Sequence, residues 1–375
     1  MDDQIKPSAT NNSLNCNGCG ALLHFAPGTH SLQCDYCGAS NPIEQKTDGQ
    51  IYAYDYEQFI AGIDTAKQSD NHKVVSCKNC GSQTVLDTFV TSDTCPFCTA
   101  ALVLDLESGQ QYVTPHYILP FAITQQQGID AFKKWIKGLW WAPNDLSKKL
   151  VSTATGLSGV YLPYWAYNTD TITDYRGQRG DYYYTTESYT ETVNGQTETK
   201  TRRVRHTSWS HASGTVERDF RNLMIPASGS LPEKTQDKLG PWNLNMLVDF
   251  DERYTSGFRS ETYQLTPQNG FVKATILTYD SIDSAIRNDI GGDEQRVDDR
   301  DTTYLNNAIK YLMLPVWVSA YKYNNKVYQF TVNASTGEVI GQRPVSAAKI
   351  ILAVLFAIAL IILIVILAQN AQANG

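Results

Sequence analysis

Arginine is absent from the first part of the chain, and the earliest one is Arg176. Residues 1–114 carry five lysines against thirteen acidic residues, whereas the remainder of the 375-residue chain is close to neutral. Proteins that bind a phosphate backbone normally present clustered lysine and arginine. The composition of the N-terminal part therefore argues against nucleic acid as its ligand.

Sequence motifs of nucleotide and hydrolase chemistry are also missing. The chain contains no G-x-x-x-x-G-K-[ST] loop, no G-x-G-x-x-G turn, no H-E-x-x-H pair and no G-x-S-x-G elbow. We therefore expect a protein that is not an enzyme. The acidic stretch 280–301 lacks the oxygen spacing of a calcium loop, and we interpret it as a helix end followed by a solvated loop.

Cysteine is absent outside two clusters, which contain all eight cysteines of the chain. Both clusters follow the pattern C-x2-C-x14-C-x2-C, and each cysteine of the second lies 61 residues after its counterpart. The first set is Cys16, Cys19, Cys34 and Cys37, and the second is Cys77, Cys80, Cys95 and Cys98. A C-x-x-C turn lets two thiolates face one metal ion, and a hairpin can return the second pair. We predict two zinc ribbons, at 14–40 and 76–101, each with a structural Zn²⁺ ion.

Other uses of these cysteines fit less well. The acidic start of the chain has no signal-peptide pattern, so the thiols are expected in the reducing cytosol. Iron is the main rival of zinc, because Cys95-Pro-Phe-Cys98 also suits the knuckle of a rubredoxin-like electron carrier. A redox dithiol is less suited, since four evenly spaced ligands indicate metal. His24 and His30 lie in the first hairpin, and we interpret them as ordinary hairpin residues because cysteine already supplies four ligands.

Charged side chains are absent from 350–368. As a helix, these nineteen residues would span about 28 Å, close to the hydrocarbon thickness of a bilayer. The alternative is a buried helix of a soluble protein, which normally has a polar face. Arg343 and Lys349 precede the segment, so the positive-inside rule places the N-terminal side in the cytoplasm. We predict a single transmembrane helix in a tail-anchored protein of the cytoplasmic membrane.

Helix and strand signals are mixed in 112–345, which predicts a mixed α+β domain after the second ribbon, and a helical linker is predicted between the two ribbons at 41–75. Thr124 and Gln127 form a capping box before an amphipathic helix. A second helix is predicted to begin at Thr266-Pro267 and to end before a pair of glycines. The predicted fold class is therefore α+β and multidomain: two zinc ribbons made of small β hairpins, the mixed domain and one C-terminal transmembrane helix.

Two hairpins are predicted in this domain. Asn194-Gly195 is the turn of the first, 182–206, which is polar on both faces and is expected to project from the domain. Asn324-Asn325 is the turn of the second. The first hairpin carries a basic cluster that we interpret as a solvated arm, with anionic lipid or a partner as the alternative ligand. This cluster is Arg202, Arg203, Arg205 and His206.

Two phrases of the domain resemble each other. Tyr161–Trp165 is YLPYW and Leu312–Trp317 is LMLPVW, and each introduces a run of strand-like residues. Aromatic strands of this kind usually belong to a core and not to a binding platform. We interpret the phrases as equivalent strands of a duplicated α+β half.

Several segments together carry a resemblance to a known family. They are the paired C-x-x-C-G knuckles, the helix region with Phe121, Lys133-Lys134-Trp135 and Ala142-Pro143, and the segments Gly159–Trp165, Leu314–Trp317 and Asn333–Gly337. They resemble a bacterial family of TFIIB-type zinc-ribbon membrane proteins. Members are often labelled as primosomal protein N′ (replication factor Y)-like or helicase-like.

The resemblance implies an adaptor on the cytoplasmic face of the membrane. Its implied partners are proteins of envelope stress, among them relatives of phage-shock protein A and SPFH-domain proteins. An ATP-driven helicase is not expected, because the chain has no phosphate-binding loop. Nucleic-acid binding through the ribbons remains the alternative, although the first ribbon has no Lys or Arg between Cys16 and Cys37.

Overall fold

A computed structural model shows a mixed α+β fold built around one large β-sheet. The structure describes residues 14–44, 50–65, 73–77, 81–86, 92–95, 97, 101–103, 113–146, 156–193, 196–324 and 326–373. Its helices are α1 (Tyr56–Thr65), α2 (Gln125–Lys137), α3 (Glu233–Gln236), α4 (Pro267–Ile290) and α5 (Ala347–Ala373). Its strands are β1 (His24–Phe25), β2 (Ser31–Gln33), β3 (Ser40–Pro42), β4 (Tyr54–Asp55), β5 (Lys73–Ser76), β6 (Gln83–Leu86), β7 (Ser92–Thr94), β8 (Ala101–Val103), β9 (Tyr117–Ile118), β10 (Ser158–Val193), β11 (Gln196–Pro226), β12 (Val248–Asp249), β13 (Arg259–Glu261), β14 (Glu294–Tyr323), β15 (Lys326–Asn333) and β16 (Val339–Gly341).

β10 and β14 form the centre of the large sheet. They pair antiparallel from Ser158↔Val318 to Gly180↔Glu294. The path of neighbouring strands is β12-β9-β14-β10-β13-β6-β5, and β4, β11, β15 and β16 attach beside it. The hairpin β5–β6, which flanks Cys77, therefore forms one edge of the central sheet.

Both predicted helices of the central domain are confirmed at their starts. Before α2, the Thr124 hydroxyl accepts a hydrogen bond from the Gln127 amide, and the Gln127 side chain accepts one from the Thr124 amide at 2.8 Å. Thr266 caps α4 and accepts from the Asn269 amide at 3.3 Å, with Pro267 as the first helical residue. The local capping signals therefore identified both helices.

Both predicted hairpins are confirmed, and the first is much longer than expected. β10 and β11 stay paired as far as Val193↔Gln196, and the turn at 194–195 lies outside the described residues. β14 and β15 stay paired as far as Tyr323↔Lys326. The first hairpin thus contributes two of the longest strands of the sheet, not only a surface extension.

The far end of the first hairpin leaves the sheet. β14 accompanies β10 only as far as Gly180↔Glu294, and beyond this point β10 and β11 pair alone. We call residues 181–193 and 196–208 the distal arm. The arm confirms that this hairpin projects from the domain.

The interpretation of 280–301 is wrong in its second part. α4 continues to Ile290, but β14 begins at Glu294 and replaces the predicted loop. One of the acidic side chains of this strand is compensated from its neighbour, since Asp299 forms an ion pair with Arg176 on β10. A charged stretch can therefore form a strand where its neighbour supplies the opposite charge.

The two similar phrases lie side by side at the centre of the sheet. Leu162 of β10 pairs directly with Leu314 of β14. Because the strands are antiparallel, an approximate two-fold axis through this pair relates the two phrases to each other. The structure therefore supports the interpretation that the domain is duplicated.

The neighbouring strands repeat the same symmetry. β13 pairs parallel with β10 at Val160–Tyr161, and β9 pairs parallel with β14 at Leu312–Met313. Three residues further along, each central strand begins to pair with the second strand of its own hairpin: β10 pairs with β11 from Tyr164, and β14 pairs with β15 from Val316. The repeated unit is β9–α2–β10–β11 in the first half and β13–α4–β14–β15 in the second.

A tryptophan in each central strand fixes the helix of the other half. The Trp165 indole donates to the Leu265 carbonyl at 2.8 Å, and the Trp317 indole donates to the Ile123 carbonyl at 2.9 Å. Each of these carbonyls belongs to the residue just before an N-cap threonine. The two hydrogen bonds are therefore equivalent under the two-fold axis.

A glycine in each helix permits this contact. A Cβ on Gly128 of α2 would lie 3.3 Å from the Trp317 ring, and one on Gly270 of α4 would lie 3.0 Å from the Trp165 ring. Both distances are tighter than ordinary side-chain contacts. In both halves the close approach of helix to sheet therefore leaves no room for a Cβ unless the neighbouring ring shifts.

α5 is apolar on all sides and leaves the body of the protein. Its segment Ala347–Leu367 has 21 residues, and the most apolar stretch of 18 residues in it has a mean hydropathy of 3.7, with none of that stretch buried inside the molecule. By length and composition this helix can span a membrane.

Candidate metal centre

The first cysteine cluster is assembled in the structure. The Sγ atoms of Cys16 and Cys37 lie 3.5 Å apart, as do those of Cys19 and Cys34. All four sulfurs lie within 4.8 Å of one another. Four thiolates at about 2.3 Å from a tetrahedral Zn²⁺ ion would be separated by about 3.8 Å. The four side chains can therefore hold one metal ion with small adjustments.

Each cysteine pair lies on a tight turn that ends in a glycine. The Gly20 amide donates to the Cys16 carbonyl at 2.8 Å, and the Gly38 amide donates to the Cys34 carbonyl at 2.9 Å. The φ angles of these glycines are 74° and 73°, a region that other residues adopt only with strain. The turn also brings the Gly18 amide to 3.4 Å from the Cys16 sulfur. Amides aimed at sulfur stabilise thiolate ligands.

These amides act on the thiols before any metal binds. The Cys37 amide is the main cause that lowers the pKa of the Cys34 thiol to about 7. The Gly18 amide likewise lowers the pKa of the Cys16 thiol. Zinc binds thiolates and releases their protons. Cys16 and Cys34 are thus prepared as ligands before the ion binds, whereas the pKa values of the Cys19 and Cys37 thiols are raised and these two must lose their protons to the ion.

The second cluster is described only in part. Cys77 and Cys95 are buried, whereas Cys80 and Cys98 lie outside the described residues. The Cys77 turn repeats the geometry of the first cluster, because the Gly81 amide donates to the Cys77 carbonyl at 2.8 Å and the φ angle of Gly81 is 76°. The second zinc ribbon stays a prediction that this turn supports.

The two histidines of the first hairpin do not belong to the cysteine cluster. His24 Nε2 lies 3.7 Å from the Asp35 carboxylate, and His30 Nδ1 lies 3.3 Å from the Tyr254 hydroxyl. The group of possible ligands at this site contains cysteine alone. This agrees with the prediction that both histidines are hairpin residues.

The first ribbon is fixed to the central domain. The Phe25 amide donates to the Ser256 carbonyl at 3.0 Å, and the Ser256 hydroxyl donates to the Leu23 carbonyl at 2.6 Å. The Phe25 ring packs 5.2 Å from the Tyr254 ring. These partners are more than 200 residues apart in the sequence, so no local pattern indicated the contact.

The distal arm separates the predicted basic cluster onto two faces. Arg203 lies 4.3 Å from the centre of the Tyr184 ring, and Arg205 lies 4.2 Å from that of Tyr182. These four side chains share one face of the arm, because opposite residues of an antiparallel pair point the same way. We call them the Arg–Tyr face.

The opposite face of the arm is neutralised by its own ion pairs. Arg202 contacts Glu187 at 3.1 Å, and Lys200 contacts Glu191 at 2.6 Å. Its charges are exposed and compensated. The Arg–Tyr face is thus the face of the arm that offers positive charge to a ligand.

One buried carboxyl group was missed at the sequence level. Glu261 on β13 is 1% exposed and accepts hydrogen bonds from the hydroxyls of Ser228 and Ser230. Burial raises the pKa of Glu261 to about 7, and the two hydroxyl donors offset only part of this shift. Its equivalent in the first half is Leu119, which is also 1% exposed. No periodic or spacing signal marks such a residue.

Comparison with known proteins finds a bacterial protein that is similar to this chain in sequence. The uncharacterized protein YdjG of Bacillus subtilis (strain 168) is 28% identical to this chain over 348 residues, which cover 90% of this chain and 92% of the relative. No family model and no solved structure matches the chain. The similarity is therefore not confined to the cysteine clusters and extends over nearly the full length of both proteins.

Proposed function

We propose that this protein is a non-enzymatic adaptor, tail-anchored in the cytoplasmic membrane by α5 and stiffened by a structural Zn²⁺ ion in each zinc ribbon. Its ribbons, central domain and distal arm face the cytosol and bind protein partners. The resemblance to TFIIB-type zinc-ribbon membrane proteins adds the partner class, namely envelope-stress proteins related to phage-shock protein A or to SPFH-domain proteins. A four-thiolate site supports a structural metal, since it leaves no open position for a substrate.

The observation that carries the proposal is the placement of anchor and arm at opposite ends of the sheet. Tyr323, at the end of β14, donates to Asp145 at 2.7 Å, and the same loop meets the start of α5 where the Ser346 amide donates to the Trp141 carbonyl at 2.8 Å. β10 starts beside this end and runs away from it to Val193. With 36 residues at about 3.3 Å each, β10 is at most about 120 Å long. The arm therefore reaches away from the anchor.

The Arg–Tyr face gives the arm a surface suited to an acidic protein. Arginine binds carboxylates through two parallel hydrogen bonds, and arginine and tyrosine are enriched at the energetic centres of protein interfaces. Since the arm points away from the anchor, a soluble partner or a second membrane-bound protein fits this face better than the lipid that holds α5.

Co-purification from native membranes tests the adaptor. The variant Arg203→Ala/Arg205→Ala removes the charge of the Arg–Tyr face, and Lys200→Ala/Arg202→Ala removes the same charge from the opposite face. We expect wild type and the second variant to recover the same acidic partner, and the first variant to lose it. Equal recovery by all three proteins would exclude the arm as the recruiting surface. Turnover of a substrate by the purified protein would exclude the hypothesis that it is not an enzyme.

Nucleic-acid binding is the second candidate, and the Arg–Tyr face favours it as well. Aromatic rings with interleaved arginines stack on unpaired bases. Binding of single-stranded RNA and DNA by the full chain in detergent, measured over a salt series, separates the two candidates. We expect no binding near physiological salt, because the ribbons are acidic. Tight, salt-sensitive binding that is lost in Arg203→Ala/Arg205→Ala would replace the adaptor with a nucleic-acid-binding protein.

A further inference from the structure

Two neighbouring tryptophans stand out on the surface of the central domain. Trp140 is 78% exposed and Trp141 is 40% exposed. The residues around them are buried, because Leu139, Ala142 and Leu146 are at most 9% exposed. The loop 138–146, which we call the interface loop, is therefore anchored in the core while it holds both indoles outside it.

The interface loop is bonded to the first turn of α5. The Lys349 ammonium donates to the Trp140 carbonyl at 2.9 Å and to the Ala142 carbonyl at 2.8 Å. The Ser346 amide donates to the Trp141 carbonyl at 2.8 Å. These three hydrogen bonds hold the backbone of Trp140 and Trp141 beside the residues where the apolar part of α5 begins.

We propose that the interface loop inserts Trp140 and Trp141 into the headgroup region of the same bilayer that α5 spans. Tryptophan is enriched at membrane interfaces because its ring is apolar while its N–H needs a polar partner. Left in water, the two indoles would expose a large apolar area at one spot. The inference rests on the proposed anchor, since α5 sets the position of the bilayer.

Charge near the loop fits the cytoplasmic leaflet. Lys134 and Lys137 lie in the last turn of α2, directly before the loop, and both are exposed. Arg343 precedes α5 and is also exposed. Lysine and arginine near the membrane surface are attracted to anionic lipid headgroups. Bilayer lipid is thus the occupant that both the apolar rings and the surrounding charges favour.

The contact orients the domain. α5 and the interface loop are bonded to each other, so insertion of the indoles adds a second point of attachment beside the helix. One attachment point would leave the domain free to swivel about the chain. With two, the sheet holds a defined tilt, and the distal arm is directed away from the membrane surface.

Lipid quenching of tryptophan fluorescence tests the contact. The full chain is reconstituted into vesicles of phosphatidylcholine and phosphatidylglycerol that carry bromine on the acyl chains close to the headgroup. Wild type is compared with Trp140→Phe/Trp141→Phe, and with Trp209→Phe on β11, just before the distal arm begins, as the matched control. We expect wild type and the control to lose emission in brominated vesicles, and the double variant to lose most of this lipid-dependent quenching.

Flotation of the same vesicles after alkaline extraction reports on α5 alone. All three proteins are expected to float. If they float and wild type is quenched no more than the double variant, the interface contact is overturned while the anchor stands. If wild type does not float, the proposed anchor itself fails. A soluble quencher in detergent tests for a contact between two copies. If the indoles are shielded from it at high protein concentration but not on dilution, the loop binds a second copy of the chain and the inference is overturned.

Discussion

The two halves of the central domain share one hydrogen-bonded framework and differ in what they attach to it. In the first half, α2 leads into the interface loop beside α5, whereas in the second half α4 lies against the base of the long hairpin. The short hairpin β14–β15 ends near α5, and the long hairpin β10–β11 ends at the distal arm. Duplication therefore supplies the geometry, and elements outside the shared framework make the two ends different: one carries α5 and the other carries the distal arm.

The sharpest asymmetry inside the framework is a single buried position. Leu119 occupies it in the first half and Glu261 in the second, each almost fully buried. A buried carboxyl costs stability that a leucine does not, unless it keeps its proton. The second half thus carries a charge-sensitive element that the first half lacks.

Loss of metal from the first ribbon should have the largest effect on both halves. The ribbon contacts Phe121 of the first half and Ser256, just before β13 of the second. Structural zinc contributes about 10–16 kcal/mol to the folding of isolated zinc fingers. In Cys16→Ser/Cys19→Ser we expect the protein to lose the ion of this ribbon, and hydrogen exchange to accelerate beside both contacts.

Elemental analysis and hydrogen exchange of the full chain in detergent measure this effect. His24→Ala is the control, since His24 is not part of the ligand group, and it should keep its zinc. Faster exchange at Ser256 alone would show that only the second half depends on the ribbon. An unchanged metal content in the double variant would remove these cysteines from the site.

Truncation of either framework tryptophan should give the next largest effect. Trp165 and Trp317 are 0% and 6% exposed and make equivalent hydrogen bonds. Trp165→Ala and Trp317→Ala are each expected to lower the free energy of unfolding by about 3–5 kcal/mol. Denaturant unfolding in detergent, followed by circular dichroism, gives both values. A loss under 1 kcal/mol at one site, with a full loss at the other, would break the energetic equivalence of the halves.

The buried carboxyl should make the second half sensitive to pH. Folding raises the pKa of Glu261 from 4.5 to about 7, chiefly through burial. Between these values the folded chain holds a proton that the unfolded chain releases. The contribution of Glu261 to the free energy of unfolding is thus fully present below pH 4.5 and is lost as pH rises to about 7. The size of this loss is about 3 kcal/mol, from 1.36 kcal/mol per pKa unit.

The variant Glu261→Gln isolates this effect. An amide keeps the shape and stays neutral, so we expect the variant to unfold with less pH dependence between pH 5 and 7 and to be more stable than wild type at pH 8. Leu119→Met serves as the control at the equivalent position and should leave the pH profile unchanged. Parallel profiles for wild type and Glu261→Gln would show that Glu261 is ionised in the folded protein.

Removal of the helix caps should give the smallest effect. Thr124 belongs to a full capping box, whereas Thr266 makes one cap hydrogen bond. Replacement of an N-cap threonine by alanine costs about 1 kcal/mol. We expect Thr124→Ala to be somewhat more destabilising than Thr266→Ala, as measured by thermal unfolding, and Thr→Ser at each site to restore most of the loss. The reverse order would indicate that the second helix depends more on its cap.

Local signals made part of this structure predictable. The starts of α2 and α4 follow from Thr124 and Thr266, because a cap and its partner lie within one turn. The Asn-Gly turn identified the first hairpin, and the cysteine spacing identified the four residues that the structure brings together. Each of these patterns is complete within a short stretch of sequence, so no distant contact was needed.

The remaining features depend on contacts between distant residues. Residues 168–181 of β10 contain few apolar side chains, so no apolar alternation indicated that the strand beginning at Ser158 runs on into the predicted hairpin. The pairing of β10 with β14 as far as Gly180 supplies that information. The packing of the first ribbon against Tyr254 likewise joins segments that are far apart in sequence, as does the hydrogen bond from Lys349 to the interface loop.

Photo-cross-linking in living cells tests the adaptor most directly. A photoreactive amino acid is placed at Thr186, on the Arg–Tyr face of the distal arm, or at Tyr183, on the opposite face, in the full membrane-anchored chain. We expect a protein adduct from position 186 that is much weaker from position 183 and disappears in Arg203→Ala/Arg205→Ala. Adducts to lipid or nucleic acid from position 186, or no adduct from either face, would contradict it.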